Sequence, residues 1–242
     1  MFNSFSEFNF RRKEALDSDT LEIHPDVISP EILRQIGEVQ DSIRHSFGRG
    51  EYFLGNGASA EVYILPIAPT LAVKHITNQK AYDENNHLRT EYDFLNKLHN
   101  FSSAGIRTPQ PYFTRIHPTE GHSIGMERIG GENLSKILEK PHNNIELIKM
   151  LKAIDREEVE KKLIAYVTEL QERFKISHND LFRRNIMVDK DANFYIIDFG
   201  KARTEEVGED HEMKFKMDLA TIKSEIRGFF QALDKIDIEL YT

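Results

Sequence analysis

Apolar positions change their spacing along this chain, and the change divides it. Ile32, Ile36, Val39 and Ile43 recur at helical spacing, with Phe47 one turn further on. Ser29-Pro30-Glu31 precedes them: a hydroxyl N-cap, a proline at the first helical position and an acid in the first turn. The spacing predicts an amphipathic helix over 30–46, ending near Gly48 and Gly50, whose apolar stripe covers the domain that follows, the preferred reading, or else a partner surface. Residues 1–28 are polar with scattered Phe and are expected to form a flexible extension, removable without loss of the fold. Over 51–77, short apolar runs at 52–54, 62–65 and 71–76 alternate with Gly and Pro signals, the pattern of an antiparallel meander. Residues 79–99 place Leu88, Phe94, Leu95 and Leu98 on a helical face, and Pro109, Pro111 and Pro118 punctuate further strands. Helical patterns dominate from residue 131, with Val159, Leu163, Val167 and Leu170 marking a helix over 156–175. Two short strands follow at 185–188 and 194–198, and the last long helix covers 212–233.

The expected organisation is an extension at 1–28, an amphipathic helix within 29–50, a strand-rich lobe at 51–128 and a helix-rich lobe at 129–242. The lobes join near 127–131, and a ligand site between them is the expectation. The length, 242 residues, suits one large domain or two small lobes. With 39% hydrophobic residues, 16 Phe and 8 Tyr, the chain can build a core, which excludes wholesale disorder. A formal charge of −8 removes the usual electrostatic footprint of nucleic-acid binding, so none is expected. The absence of Cys excludes disulfides, thiolate zinc sites and a cysteine nucleophile. No apolar run approaches the roughly 18 residues of a membrane helix, and no signal-peptide core opens the chain. A soluble cytoplasmic protein without membrane association is expected, although a Cys-free chain would also survive export.

The densest chemistry lies in His178-Asn179-Asp180-Leu181-Phe182-Arg183-Arg184-Asn185, with Asp198-Phe199-Gly200 thirteen residues after Asn185. A strand, an Asp/Asn turn and a second strand fill the interval and deliver Asp198 at a strand end. Upstream, Leu54-Gly55-Asn56-Gly57-Ala58-Ser59-Ala60-Glu61-Val62 carries two glycines that permit a sharp hairpin whose amides can approach phosphate oxygens. Leu71-Ala72-Val73-Lys74 follows, and Glu91 lies seventeen residues beyond Lys74 on a helical face with Leu95 and Leu98. Glu84 competes for the role of partner to Lys74, but a helix needs room to begin after the strand, which favours Glu91.

These motifs resemble, in order, the Gly-rich loop, the V-A-I-K strand, the helix-C Glu, the catalytic loop H-x-D-x-x-x-x-N and the D-F-G of the protein kinase-like superfamily. The resemblance covers about residues 52–233. It implies an α+β, bilobal protein kinase-like fold, with an antiparallel sheet in the N-lobe and a truncated helical C-lobe. It also implies an ATP-dependent phosphotransferase using Mg²⁺, with Mn²⁺ as the other candidate ion. By this resemblance Asp180 orients the acceptor hydroxyl and takes its proton, Asn185 and Asp198 hold the metal, and Lys74, held by Glu91, steadies the α/β-phosphates. Gly55, Asn56, Gly57, Ala58 and Ser59 form the phosphate loop. Val62, Ala72 and Met187 sandwich the adenine. Met126 gates the back of its pocket, and the backbone of Glu127 and Ile129 meets its edge. Such a site is mostly positioning and charge neutralisation, which is why it gathers cations against phosphate and one carboxylate against the nucleophile. His178 is expected to support the loop rather than react, and no other His has metal-ligand spacing.

Departures narrow the resemblance. Asn179 replaces the Arg that normally pairs with a phosphorylated activation segment, Ala60 replaces the third loop Gly, and no A-P-E motif follows. Between Gly200 and Asp218 the only hydroxyl residue is Thr204, followed by Glu205 and Glu206, so switching by phosphorylation there is not expected. Asp218 resembles the acid on the helix that buttresses the catalytic loop, and the chain stops after that helix. Phe182 stands where protein kinases usually have Lys, and Arg183 is the candidate to supply the missing charge. The truncation is similar to the atypical minimal kinases: RIO kinases, the small tRNA-modification-complex kinase and compact bacterial effector kinases. RIO kinases lack the D-F-G spelling, and the tRNA-complex kinase has a degenerate Gly-rich loop and a basic tail, so the effector type is preferred. That preference implies a serine/threonine protein kinase acting on a protein substrate, with an activating partner and secretion into a host cell as corollaries. The competing readings are a small-molecule phosphotransferase resembling aminoglycoside or choline kinases, for whose substrate helices there is little room, and a nucleotide-binding pseudokinase, against which the filled polar positions argue.

Overall fold

The helix expected over 30–46 forms as α1 (Pro30–Ser46). The computed structural model describes residues 20–46, 53–56, 60–64, 66, 68–76, 87–117, 121–204 and 209–241. In α1 the buried residues Ile36 and Val39 join Ala68, Leu71, Val73 and Phe113 in one apolar cluster, flanked by Val27, Ile32 and Tyr112. The stripe therefore covers the domain that follows, as its spacing implied. Buried Gln35 fastens the helix further, because its Oε1 accepts a 2.7 Å hydrogen bond from Thr70 Oγ1. The side chains of Ile43 and Phe47 lie outside the described set.

The strands of this region form one six-stranded antiparallel sheet in the order β1-β7-β8-β4-β3-β2. They are β1 (Thr20–Ile23), β2 (Phe53–Asn56), β3 (Glu61–Tyr63), β4 (Leu71–Ile76), β7 (Pro111–His117) and β8 (Gly121–Glu127). Strand alternation explains the division of labour along β4. Leu71 and Val73 face the cluster with α1, which leaves Ala72 and Lys74 to the opposite side of the sheet. Helix α2 (His87–Lys97) contributes buried Leu88, Glu91, Tyr92 and Leu95. Gly125 in β8 must be glycine, since a Cβ there would fall 2.0 Å from the Phe113 ring.

The extension expected over 1–28 is corrected at its far end. Residues 20–23 are a strand paired residue for residue with β7, and His24, itself buried, donates its amide to Tyr112 O at 2.9 Å. Sequence reading missed β1 although Leu21 and Ile23 alternate with Thr20 and Glu22, because a run of four residues is too short to stand out from the polar segment around it.

The chain separates into two units, residues 1–97 with 110–128, and residues 98–109 with 129–242. The assignment of 98–109 differs from the expected division at 128. Two short strands, β5 (Ser102–Ser103) and β6 (Ile106–Arg107), join a sheet ordered β5-β6-β12-β11-β9, with β9 (Gly131–Asn133), β11 (Ile186–Asp189) and β12 (Phe194–Ile196). Arg107 pairs in parallel with Tyr195, and the Phe101 ring packs on Tyr166 and Phe174 at 5.3 and 4.9 Å. Such contacts span 65 to 88 positions and leave no local signal in the sequence.

The second unit also holds α3 (Leu134–Glu139), α4 (Ile145–Ala153), α5 (Arg156–Phe174) and α6 (Glu209–Asp234). Asp155 caps α5, its carboxylate accepting from the amides of Glu157 and Glu158, and Lys175 closes the helix in the left-handed region at φ 56°. Val159, Leu163, Tyr166, Val167 and Leu170 are the buried face of α5. Asp218, Ile222, Ile226, Phe229, Phe230 and Leu233 are buried along α6. Two surface ion pairs tie these helices together, Arg227 to Glu160 and Arg156 to Asp234. A two-stranded pair of β10 (Ile176–Ser177) with β13 (Arg203–Thr204) completes the unit.

Candidate active site

Lys74 and Glu91 form the polar centre of the first unit. Lys74 Nζ lies 2.6 Å from Glu91 Oε2, and both residues are buried. The strand ladder sets the neighbours: Val62 on β3 pairs with Lys74, and Ala72 pairs with Met126 on β8. Met126 is buried, whereas Val62 and Ala72 stay half-exposed. Glu127 donates its amide to Gln110 O at 2.8 Å, and Arg128 donates its own to Thr70 O at 2.9 Å. The amide of Glu127 is therefore already engaged within this unit. Gly55 and Asn56 end strand β2, while Gly57, Ala58 and Ser59, expected to complete the phosphate loop, lie outside the described residues, as does the rejected candidate Glu84. Ile129 begins the second unit, where Met187 on β11 pairs with Tyr195 and Asn133.

The second unit brings His178, Asp180, Asn185 and Asp198 together through its backbone. Strand β10 ends at Ser177, and Asn179 takes the left-handed conformation at φ 61°, which turns the chain sharply into Asp180. A 3₁₀ turn at Arg183–Asn185 then returns it to β11. This curl points the Asn185 amide inward, where Nδ2 donates to Asp180 O at 2.8 Å and to Asp180 Oδ2 at 3.0 Å. Only the nitrogen can donate to two oxygens, so the amide orientation is chemically fixed. The second hairpin strand, β12, delivers Asp198, also left-handed at φ 63°. A non-glycine residue there costs energy that neighbouring contacts must hold, a feature typical of functional positions.

His178 explains how that corner is held. It is buried, its Nε2 lies 3.1 Å from Ile197 O, and its ring packs 4.6 Å from the Phe199 ring. Burial holds its pKa down at about 4, so the imidazole is neutral at ordinary pH. A neutral ring donating from Nε2 supports the backbone that enters Asp198, which is the structural duty expected of it. Helix α6 supplies the other brace. Asp218 accepts the amides of His178 at 2.7 Å and Asn179 at 3.1 Å, and burial pushes its carboxyl up to about 6. Glu225, two turns later on the same face, accepts from the amide of Arg183 at 3.0 Å and from its Nε at 2.9 Å.

The cation expected from Arg183 is therefore corrected. Its side chain is directed to Glu225, and the charges beside Asp180 come from two other residues. Arg184 Nη2 lies 2.6 Å from Asp180 Oδ1, and Lys201 Nζ lies 3.3 Å from Asp180 Oδ2. The Arg184 guanidinium also stacks at 4.6 Å over the Phe182 ring, which is itself exposed. Sequence reading missed both: Arg184 had the signal of standing four residues after Asp180, while Lys201 carried only its place directly after Gly200. Asn179 shows why no arginine is needed there: its Nδ2 donates to Ser177 O at 3.2 Å and to Lys201 O at 3.3 Å. With the Ile176–Thr204 and Ser177–Arg203 pairs, this bond fastens the segment after Gly200 without any phosphate.

Hard oxygen donors suit a divalent cation, and the residues fit one. The Asn185 amide spends its nitrogen on Asp180, so its oxygen is turned away from that carboxylate, and Asp198 supplies a carboxylate as the second hard donor. Each unit by itself carries side chains of the kind a kinase-like phosphotransferase uses: a buried Lys–Glu bridge in the first, and an Asp–Asn loop with an Asp-Phe-Gly corner in the second. The family model for the RIO domain matches residues 71–239, and the chain belongs to the RIO family, atypical kinases of the protein kinase-like superfamily. Membership brings kinase-like phosphotransfer with ATP and a divalent metal ion. The Asp-Phe-Gly spelling, which set RIO kinases aside in the sequence, therefore does not exclude them. Comparison with curated proteins gives no match. Among the described residues no helix is long and apolar enough to cross a membrane.

Proposed function

We propose that this chain is an atypical serine/threonine protein kinase that transfers the γ-phosphate of ATP, bound with Mg²⁺, to a hydroxyl of another protein. The observation that carries the reading is the direct bond between Asp180 and Asn185, the residue pair that phosphotransfer needs within one hydrogen bond of each other. Asp180 accepts the proton of the acceptor hydroxyl and orients its oxygen for attack on the γ-phosphorus. Asn185 Oδ1 and the Asp198 carboxylate would hold the metal, which would supply positive charge to the phosphate oxygens, including the bridging oxygen that stays with ADP when the γ-phosphoryl group transfers. Lys74, fixed by Glu91, steadies the α- and β-phosphates. Gly55 through Ser59 cover them, and Val62, Ala72, Met126 and Met187 meet the adenine, with the Glu127 carbonyl and the Ile129 backbone at its edge.

Mn²⁺ fits the same oxygen donors. Delivery into a host cell and an activating partner rest on the resemblance to compact effector kinases, and no residue contact adds to them. The test is transfer of labelled γ-phosphate, with Mg²⁺, to the protein itself, to a mixed cell extract and to a panel of small-molecule alcohols and aminoglycosides. Labelled protein bands carrying phosphoserine or phosphothreonine are the expected result. Label confined to a small molecule would reject the protein-kinase reading.

A further inference from the structure

The cation that protein kinases usually place two residues after the catalytic Asp is missing here, because Phe182 stands in its place. Phosphoryl transfer still needs positive charge beside the migrating group. Among the described residues three basic side chains lie near Asp180, and their contacts separate them. Arg183 is committed to Glu225 by two bonds, one from its backbone and one from its guanidinium. Arg184 holds Asp180 Oδ1 at 2.6 Å and is stacked on Phe182, so two contacts fix it on the far oxygen. Lys201 differs from both. It reaches Asp180 Oδ2, the oxygen that also receives Asn185 Nδ2, so it sits on the side of the site where the proposed metal ligand lies. Its ammonium makes one longer contact of 3.3 Å, which holds it less firmly than the two contacts of the equally exposed Arg184 and lets it exchange partners. Its backbone, in contrast, is pinned to the loop through the Asn179 bond to Lys201 O.

We infer that Lys201 replaces the missing catalytic-loop lysine: its ammonium leaves Asp180 Oδ2 for the γ-phosphate of bound nucleotide and accompanies that group as it moves. The exchange serves two ends. It places a cation on the oxygens that gain charge in the transition state, and it opens a second acceptor position on Asp180 Oδ2, beside the bond from Asn185, for the hydroxyl proton. Asn179 is the positioning residue that sets where the Lys201 stem starts. The inference rests on the proposed phosphotransfer reading, and its test is built so the two can fail separately.

The variants are Lys201→Met, which keeps the stem and removes the charge, and Lys201→Arg, which keeps the charge. Affinities for ATP and ADP are measured with Mg²⁺ by calorimetry on the full chain, alongside transfer kinetics. For wild type, tighter binding of ATP than ADP is expected. Lys201→Met should erase most of that difference, leave ADP affinity unchanged and lower kcat by about 10²-fold, the usual loss for one donor to developing charge, with KM for the acceptor unchanged. Lys201→Arg should restore much of both. Lys190→Met, a charge removed from the β11–β12 turn, controls for net charge and should change neither. If Lys201→Met keeps the wild-type preference for ATP and the wild-type kcat, the inference is wrong. If wild type binds nucleotide but transfers nothing, the phosphotransfer reading fails while the ATP-against-ADP comparison still decides Lys201. A wild type that binds no nucleotide overturns both.

Discussion

Lys74 and Glu91 meet at 2.6 Å with the lysine 8% and the glutamate 2% exposed, a buried ion pair between a strand and a helix seventeen residues apart. Taking either charge out of water is costly, and the partner's charge offsets that cost. Glu91→Ala should leave the ammonium buried without its carboxylate and lower stability by about 3–5 kcal/mol. Lys74→Met combined with Glu91→Leu should recover most of that loss by replacing the pair with apolar packing, yet bind ATP poorly. Urea unfolding of the three proteins checks the order. Equal stability for Glu91→Ala and wild type would show that the pair is not held as described.

Asp218 carries the amides of His178 and Asn179 on a carboxyl whose burial lifts its pKa to about 6. Protonation puts a hydroxyl where an acceptor is needed, so transfer should decline as pH falls through about 6. Asp218→Asn imposes the same fault permanently, since one amide donor then faces another. A loss of 10- to 100-fold is expected, matching the roughly 1.5–3 kcal/mol of a hydrogen bond to a charged group. The variant's pH profile should be flat through the region where wild type declines. The stability effect has the opposite sign. A raised pKa favours the folded state below the ordinary carboxyl range and loses that contribution as pH rises through about 6.

His178 works in reverse. Its pKa is held at about 4 in the fold against an ordinary value near 6.5, so the unfolded chain binds a proton that the folded chain refuses. Stability should fall as pH drops from about 6.5 to about 4. Between pH 7 and pH 4.5 wild type should lose about 2–3 kcal/mol more than His178→Gln, following 1.36 kcal/mol per pKa unit. Denaturant titrations at the two pH values measure the difference, and parallel behaviour of the two proteins would contradict it.

Thr204 lies in β13, exposed, and precedes Glu205 and Glu206. Because Asn179 and the β10–β13 pair already fasten this segment, Thr204→Val should leave transfer unchanged, and phosphatase treatment should not lower it. Asn179→Ala should lower it, since it unties Lys201. Loss of activity on phosphatase treatment would show that a phosphate is required after all.

Removing residues 1–19 should leave stability unchanged, whereas removing 1–28 strips β1 from β7 and should lower the melting temperature. Thermal melts of the two shortened proteins separate the strand from the segment before it.

Much of the site was legible because its chemistry is local. Asp180, Asn185 and Asp198 sit at fixed spacing around two short strands, and a strand–helix step of seventeen residues sufficed to choose Glu91 over Glu84. The helices α1, α5 and α6 were legible from spacing within two or three residues of their ends. What escaped depends on direction rather than spacing. Adjacent arginines look alike in sequence, yet the 3₁₀ turn sends Arg183 to Glu225, 42 positions away, and Arg184 to Asp180. Lys201 gains its place through the left-handed turn at Asn179, which only the folded backbone reveals. Residues 98–109 read as part of the first lobe because their attachments, Arg107 to Tyr195 and Phe101 to Tyr166, are long-range.

The most direct measurement is γ-phosphate transfer to protein by wild type, Asp180→Ala and Asp198→Ala, with nucleotide binding followed in parallel. Asp180→Ala should lose transfer while binding ATP with Mg²⁺ about as well as wild type, and Asp198→Ala should lose the metal-dependent part of binding as well. Transfer at the wild-type rate by Asp180→Ala would contradict the assignment of the loop, and with it the proposed function.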